Sequence, residues 1–166
     1  MRRLATEFAK LTENPLPGIV ARPRDADNLR VWDFSIRGPP GSAYDCGVFS
    51  GVLSFPTDYP LSPPRMVFTT PLTHPNVYAV SGPRAGEVCI SILHVGADAT
   101  GYERPEERWT PVHSITSILL SVQSMLHDIN AESPANVDAA KLLTQDPERF
   151  RTVVRLEVER SLGLRR

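Results

Sequence analysis

The chain has 166 residues, 41% hydrophobic and 22% charged, which is the make-up of one folded domain with enough length to bury a core. A formal charge of -1 argues against a dedicated nucleic-acid binder, and no run of apolar residues is long enough to span a membrane. Two cysteines, at 46 and 89, cannot build a disulfide framework and form no CxxC pair, so no metal site is expected.

The first residues turn polar and acidic at once, unlike a secretory leader, and the expectation is a reduced, cytoplasmic, single domain over 1–166. Leu4, Phe8 and Leu11 recur at helical spacing up to the stop at Asn14-Pro15-Leu16-Pro17-Gly18, with Arg3, Glu7 and Lys10 on the polar face. Ile19-Val20-Ala21 reads as a strand. Alternation marks three more: Leu29 to Ile36, Phe49 to Phe55 and Met66 to Thr69. Turns without helices join them, which predicts an antiparallel meander. Twelve of the 16 prolines fall between Pro15 and Pro83, so helices belong to the later half. Ile115, Ile118, Leu119, Val122, Met125 and Leu126 predict a core-facing helix over about 112–127. Asp146-Pro147-Glu148 opens another, which Gly163 closes. The fold class is α+β, with helices on one face of the sheet.

Residues 70–111 lack a long period and hold the chemistry. A lone cysteine in Val88-Cys89-Ile90 reads first as a small buried hydrophobe, and Cys46, at the start of a strand, reads the same way. In context, however, His74-Pro75-Asn76, Gly86-Glu87-Val88-Cys89-Ile90 and Trp109-Thr110-Pro111 resemble the active-site signature of ubiquitin-conjugating enzymes. Tyr59-Pro60-Leu61-Ser62-Pro63-Pro64 is similar to that family's proline-rich loop. Cys89 and Trp109 are 20 positions apart, and the long intervening stretch resembles the acidic loop of the G-type branch serving ER-associated degradation. That stretch carries His94, Asp98, Glu103, Glu106 and Glu107.

The resemblance implies acyl transfer twice over. An activating enzyme, which uses ATP upstream, hands ubiquitin to Cys89, and Cys89 passes it to a lysine of a protein substrate. No bound cofactor is implied. Asn76 would stabilise the oxyanion, with His74 and Pro75 setting its turn. Ser133 and Asp98 compete for the role of assisting the lysine. Arg3, Glu7 and Lys10 of the first helix, Leu61, and Pro111 with Val112 correspond to the shared surface for activating enzyme and RING-type ligases. Recruitment to the cytosolic face of the ER would come through a partner.

The competing readings are a cysteine hydrolase pairing Cys89 with His74, His94, His113 or His127, a conjugating enzyme for another ubiquitin-like modifier, and a non-catalytic ubiquitin-binding scaffold. No signature around the four histidines suggests a base held by a third group. Asn76 and Cys89 lie 13 positions apart, longer than the resemblance leads one to expect. The extra residues, within 79–86, are expected to bulge into solvent from fixed ends, so that deleting Ser81 to Ala85 leaves transfer nearly unchanged.

Overall fold

The structure, a computed structural model, describes residues 2–164. Helix α1 (Arg2–Glu13) leads into four strands: β1 (Ile19–Pro23), β2 (Val31–Arg37), β3 (Val48–Ser54) and β4 (Arg65–Phe68). They pair in sequence order, all antiparallel, as the alternation predicts. Trp32, Phe34 and Ile36 of β2, Phe49 and Leu53 of β3, and Met66 and Phe68 of β4 all point to one side and are buried there. Gly51 takes its place in this alternation opposite Phe34. A Cβ at Gly51 would lie 2.4 Å from the Phe34 ring, so its absence lets Phe34 and Phe68 meet edge to face at 5.2 Å.

Helix α2 (Ile115–His127) lies on that apolar face and buries Ile115, Ile118, Leu119, Val122 and Leu126 completely. Burying each of these stabilises the fold by about 1.5–3 kcal/mol. The helix starts three residues later than the periodicity suggests. Ser114 caps it, accepting from Ser117 N while the Ser117 hydroxyl takes Ser114 N, and Val112 stays outside, 89% exposed. Asp146 caps α4 (Pro147–Ser161) as expected, and Gly163 follows it at φ +71°.

The family fold implies more than one helix after α2, but the periodicity does not locate α3 (Val137–Gln145). It spans only nine residues and its buried side chains are Ala139 and Ala140, too small to make a visible stripe. Two other expectations fail. Cys46 does not start a strand: it sits exposed in the turn before β3 at φ +67°. Glu7 is not on a solvated face but 5% exposed. It accepts from Arg3, from the Tyr59 hydroxyl at 2.7 Å and from the backbone N–H of Ile115, the first residue of α2. A helix start favours an anion there. No helix among the described residues is long and apolar enough to cross a membrane.

Candidate active site

The site is built on the segment that follows β4, and its position is set from behind. Glu157 of α4 is buried and accepts both the backbone N–H and the hydroxyl of Thr73, at 2.8 and 2.6 Å. The Tyr44 hydroxyl donates to Thr73 O at 2.7 Å. His74 comes next, fully buried. Its Nδ1 accepts from Asn76 N at 2.9 Å, so Nε2 carries the proton and donates to Met125 O, also at 2.9 Å. Burial pushes its pKa down to about 4, so the ring is neutral and serves as a brace. His74 therefore holds the turn and does not itself face the reaction.

Pro75 O accepts from Asn136 N at 2.9 Å, tying the segment that carries Ser133 to this turn. Val77 and Val88 pair as an antiparallel bridge, and Cys89 N donates to Asn76 O at 2.8 Å. Both valines are buried on the core side. Strand alternation then turns the side chains of Asn76 and Cys89 together to the opposite, outer face. The Asn76 carboxamide makes no hydrogen bond among the described residues, so its donors are free for a bound acyl group.

The loop after Cys89 returns to it. The His94 Nδ1–H donates to Glu103 Oε1 at 2.8 Å, which leaves Nε2 as an acceptor 3.4 Å from the Cys89 sulfur. Arg108 pairs with the other oxygen of Glu103 and donates to Val95 O, while Trp109 N closes the loop base on His94 O. A nucleophile, a base and an orienting carboxylate therefore do come together: His94 is one of the four histidines weighed against Cys89, whereas Glu103 as the group that holds it is not expected from the sequence. The signal lay in the spacing of His94 and Glu103 within one folded loop rather than in a local motif.

Burial pushes the Cys89 thiol up. The neighbouring Tyr78 hydroxyl and the Arg84 charge pull it back, and the Glu103 and Glu87 carboxylates oppose them. The resting group is accordingly a thiol that needs a base when it attacks.

Asp98 does not face the cysteine. Its carboxylate accepts from the backbone N–H groups of Thr100, Tyr102 and Glu103 and from the Thr100 hydroxyl, which holds it well below the usual carboxylate range. It organises the loop, and the loop is thereby a folded unit rather than a solvated run. Glu107 accepts from Arg104 N in a short 3-10 turn (Pro105–Glu107), while Glu106 is exposed. Ser133 is exposed at φ +49°, with a hydroxyl free of hydrogen bonds among the described residues.

The extra residues between Asn76 and Cys89 behave only partly as expected. Their ends are fixed: Tyr78 N donates to Glu87 O at 2.9 Å and Gly86 N to Tyr78 O at 3.0 Å. Gly86 is required there, since at φ +72° a Cβ would lie 2.2 Å from Phe68 O. Ser81, Gly82 and Pro83 are exposed, but Arg84 turns back onto Tyr78 and Glu87. With Ala135–Asp138 the excursion walls a groove of about 410 Å³.

Of the surface set, Lys10, Leu61, Pro111 and Val112 are exposed, with Leu61 at 70%. Arg3 is engaged, donating to His113 O at 2.8 Å and pairing with Glu7. Burial removes Glu7 from any contact surface.

Comparison with known proteins agrees with this geometry. Residues 3–158 match the family described as ubiquitin-conjugating enzyme. The chain is 50% identical to human "Ubiquitin-conjugating enzyme E2 G2" over 165 residues, covering 99% of this chain and 97% of that one. It is 47% identical to the Schizosaccharomyces pombe "Ubiquitin-conjugating enzyme E2-18 kDa", with 99% and 96% covered. Among solved structures, human E2 G1 superposes with a TM-score of 0.64 at 46% identity over 75% of this chain and 92% of its own. A Toxoplasma gondii E2 domain gives 0.78 at 30% identity, over 96% of each. Coverage from end to end, together with the meander, helices and signature on one sheet edge, means that the chain belongs to the ubiquitin-conjugating enzyme family and is a transferase of that kind.

Proposed function

We propose that Cys89 is the residue that carries ubiquitin as a thioester, received from an ATP-using activating enzyme and passed on to a lysine. The observation that carries this is the rung in which Cys89 N donates to Asn76 O, since it sets a thiol and an unpartnered carboxamide side by side on one outer face. In loading, the sulfur attacks the incoming thioester carbonyl as the His94 Nε2 takes the thiol proton. The new C–S bond forms while the bond to the donor sulfur breaks. In discharge, a lysine amine adds to the carbonyl, and Asn76 donates to the oxyanion. The C–S bond then breaks with the electron pair going to sulfur, and the lysine nitrogen loses its proton. Asp98 is committed to its own loop, which favours Ser133 as the group that orients the amine. RING-type ligases are the expected partners at Lys10, Leu61, Pro111 and Val112. The half-identity to E2 G2 and the folded acidic loop support a role in ER-associated degradation, at the cytosolic face of the ER.

Loading with purified activating enzyme, ATP and a panel of ubiquitin-like modifiers tests the reading. Wild type forms a thiol-sensitive adduct with ubiquitin, Cys89→Ser a thiol-resistant ester, and Cys46→Ser behaves as wild type. Loss of the adduct in Cys46→Ser with a thioester retained in Cys89→Ser overturns the assignment. Adduct formation with a different modifier alone replaces ubiquitin in it. Release of free ubiquitin from conjugates without ATP would instead favour the hydrolase that Cys89, His94 and Glu103 outline.

A further inference from the structure

The transfer chemistry leaves one buried charge unused. Phe150, Val154 and Glu157 recur at i, i+4 and i+7 on α4 and all three are buried, so a carboxylate stands where the stripe calls for an apolar side chain. Among the described residues it pairs with no cation. What it holds is one residue, Thr73, through both the backbone N–H at 2.8 Å and the hydroxyl at 2.6 Å. Burying a carboxylate is costly, and an apolar side chain would pack the helix equally well. The two bonds supply what packing lacks, a direction, because hydrogen bonds to an ionised acceptor are short and oriented. The helix that carries Glu157 is itself fixed one turn further on, where the Ser161 hydroxyl accepts from Val48 N at 3.0 Å.

Thr73 is the residue before His74-Pro75-Asn76, so its orientation sets where the turn begins. Its carbonyl is fixed as well, by the Tyr44 hydroxyl, which burial and the Glu157 charge keep protonated and able to donate. The residues that follow are tied to other elements: His74 to α2 through Met125 O, Pro75 to the segment before α3 through Asn136 N, and Asn76 to Cys89 N. We propose that Glu157 is a positioning residue for discharge: by orienting Thr73 it holds the Asn76 carboxamide at the height where the oxyanion forms beside Cys89. Glu157 touches neither the substrate nor the sulfur and exchanges no proton in the step. Its effect is geometric, and a misplacement of about an ångström is enough to slow a positioned reaction about a hundredfold.

The role rests on Asn76 as the oxyanion donor at a Cys89 thioester, and two readouts keep the claims apart. Amide hydrogen exchange is followed on the unloaded protein, which needs no ubiquitin, and loading and discharge are followed in single turnovers. In Glu157→Ala the Asn76 and Cys89 amides are expected to exchange about tenfold faster while those of α2 keep their protection. Loading stays within about twofold of wild type and discharge to lysine slows about tenfold, a loosened rather than a lost donor. Glu157→Gln keeps one acceptor oxygen for Thr73 and restores part of the rate. Thr73→Val, which removes the hydroxyl alone, slows discharge by less. Adding Glu157→Ala to Asn76→Ala slows discharge far less than it does in wild type, as expected of a residue that acts through another. Equal slowing in both backgrounds, or loading and discharge falling together with the melting temperature, marks a merely structural role and overturns the proposal, as do unchanged exchange and discharge in folded Glu157→Ala. Should Glu157→Ala fail to fold, Thr73→Val decides by the same readouts. An Asn76→Ala that discharges normally sinks the oxyanion assignment; a slow Glu157→Ala then keeps Glu157 as positioning Cys89 through the same rung, and a normal one ends both.

Discussion

Asn76 contributes its backbone to the turn and its side chain to nothing inside the protein. Its N–H is taken by His74 Nδ1 and its carbonyl by Cys89 N, while the carboxamide stays free. Truncating the side chain therefore leaves every bond of the turn in place. Asn76→Ala is expected to melt within a degree or two of wild type and to load ubiquitin normally. Discharge to lysine should slow about a hundredfold or more, the usual cost of losing one oxyanion donor. Single-turnover discharge beside thermal unfolding checks this; an early-melting variant that loads poorly would show that the side chain holds the turn instead. The cysteine opposite has the reverse character. Its sulfur is half-buried and disfavoured as a thiolate by that burial, so its reactivity depends on the groups aimed at it.

Among the elements, the acidic loop shows how a polar run can fold. One carboxylate, Asp98, gathers three backbone amides, and Arg108 with Glu103 closes the far side. In Asp98→Ala the amides of Thr100, Tyr102 and Glu103 are expected to exchange with solvent at least tenfold faster, while those of α2 keep their protection. Unchanged exchange at these three positions would mean that Arg108 and the Trp109–His94 closure hold the loop unaided. The strands and α2 were legible in the sequence because their buried side chains are large and strictly periodic, and the signature singled out Cys89 and Asn76, which the fold sets opposite each other. Three things were not legible, each for its own reason. Helix α3 buries alanines. Glu7 is a charge whose partners, Tyr59 and Ile115, lie 52 and 108 residues away. The excursion after Tyr78 looked like a solvent bulge, since nothing local says that Arg84 turns back. Deleting Ser81 to Ala85 would also remove that arginine and its contacts to Tyr78 and Glu87.

For the molecule as a whole, the site and the core share one titratable group. His74 is buried as the neutral ring, with a pKa of about 4 against an ordinary 6.5. Between those values the unfolded chain binds a proton that the native one refuses. The stability contributed by the neutral form is complete above pH 6.5 and is lost as pH falls towards 4. A shift of that size corresponds to about 3 kcal/mol. His74→Asn, compared with wild type by denaturant unfolding at several pH values, should lose that part of the acid sensitivity while being less stable at neutrality. Parallel pH curves for the two proteins would assign the acid sensitivity to the carboxylates alone.

The buried carboxylate of Glu7 has a consequence at this scale. It joins α1, the loop of Tyr59 and the start of α2, the three pieces whose outer surfaces display Lys10, Leu61 and Val112. Those pieces cannot drift independently without stranding a charge in the interior. A protein arriving at this face meets a surface already in its final shape, so little ordering entropy is lost on docking. The encounter rate is then governed by diffusion and surface charge rather than by any rearrangement, and a partner can be exchanged quickly.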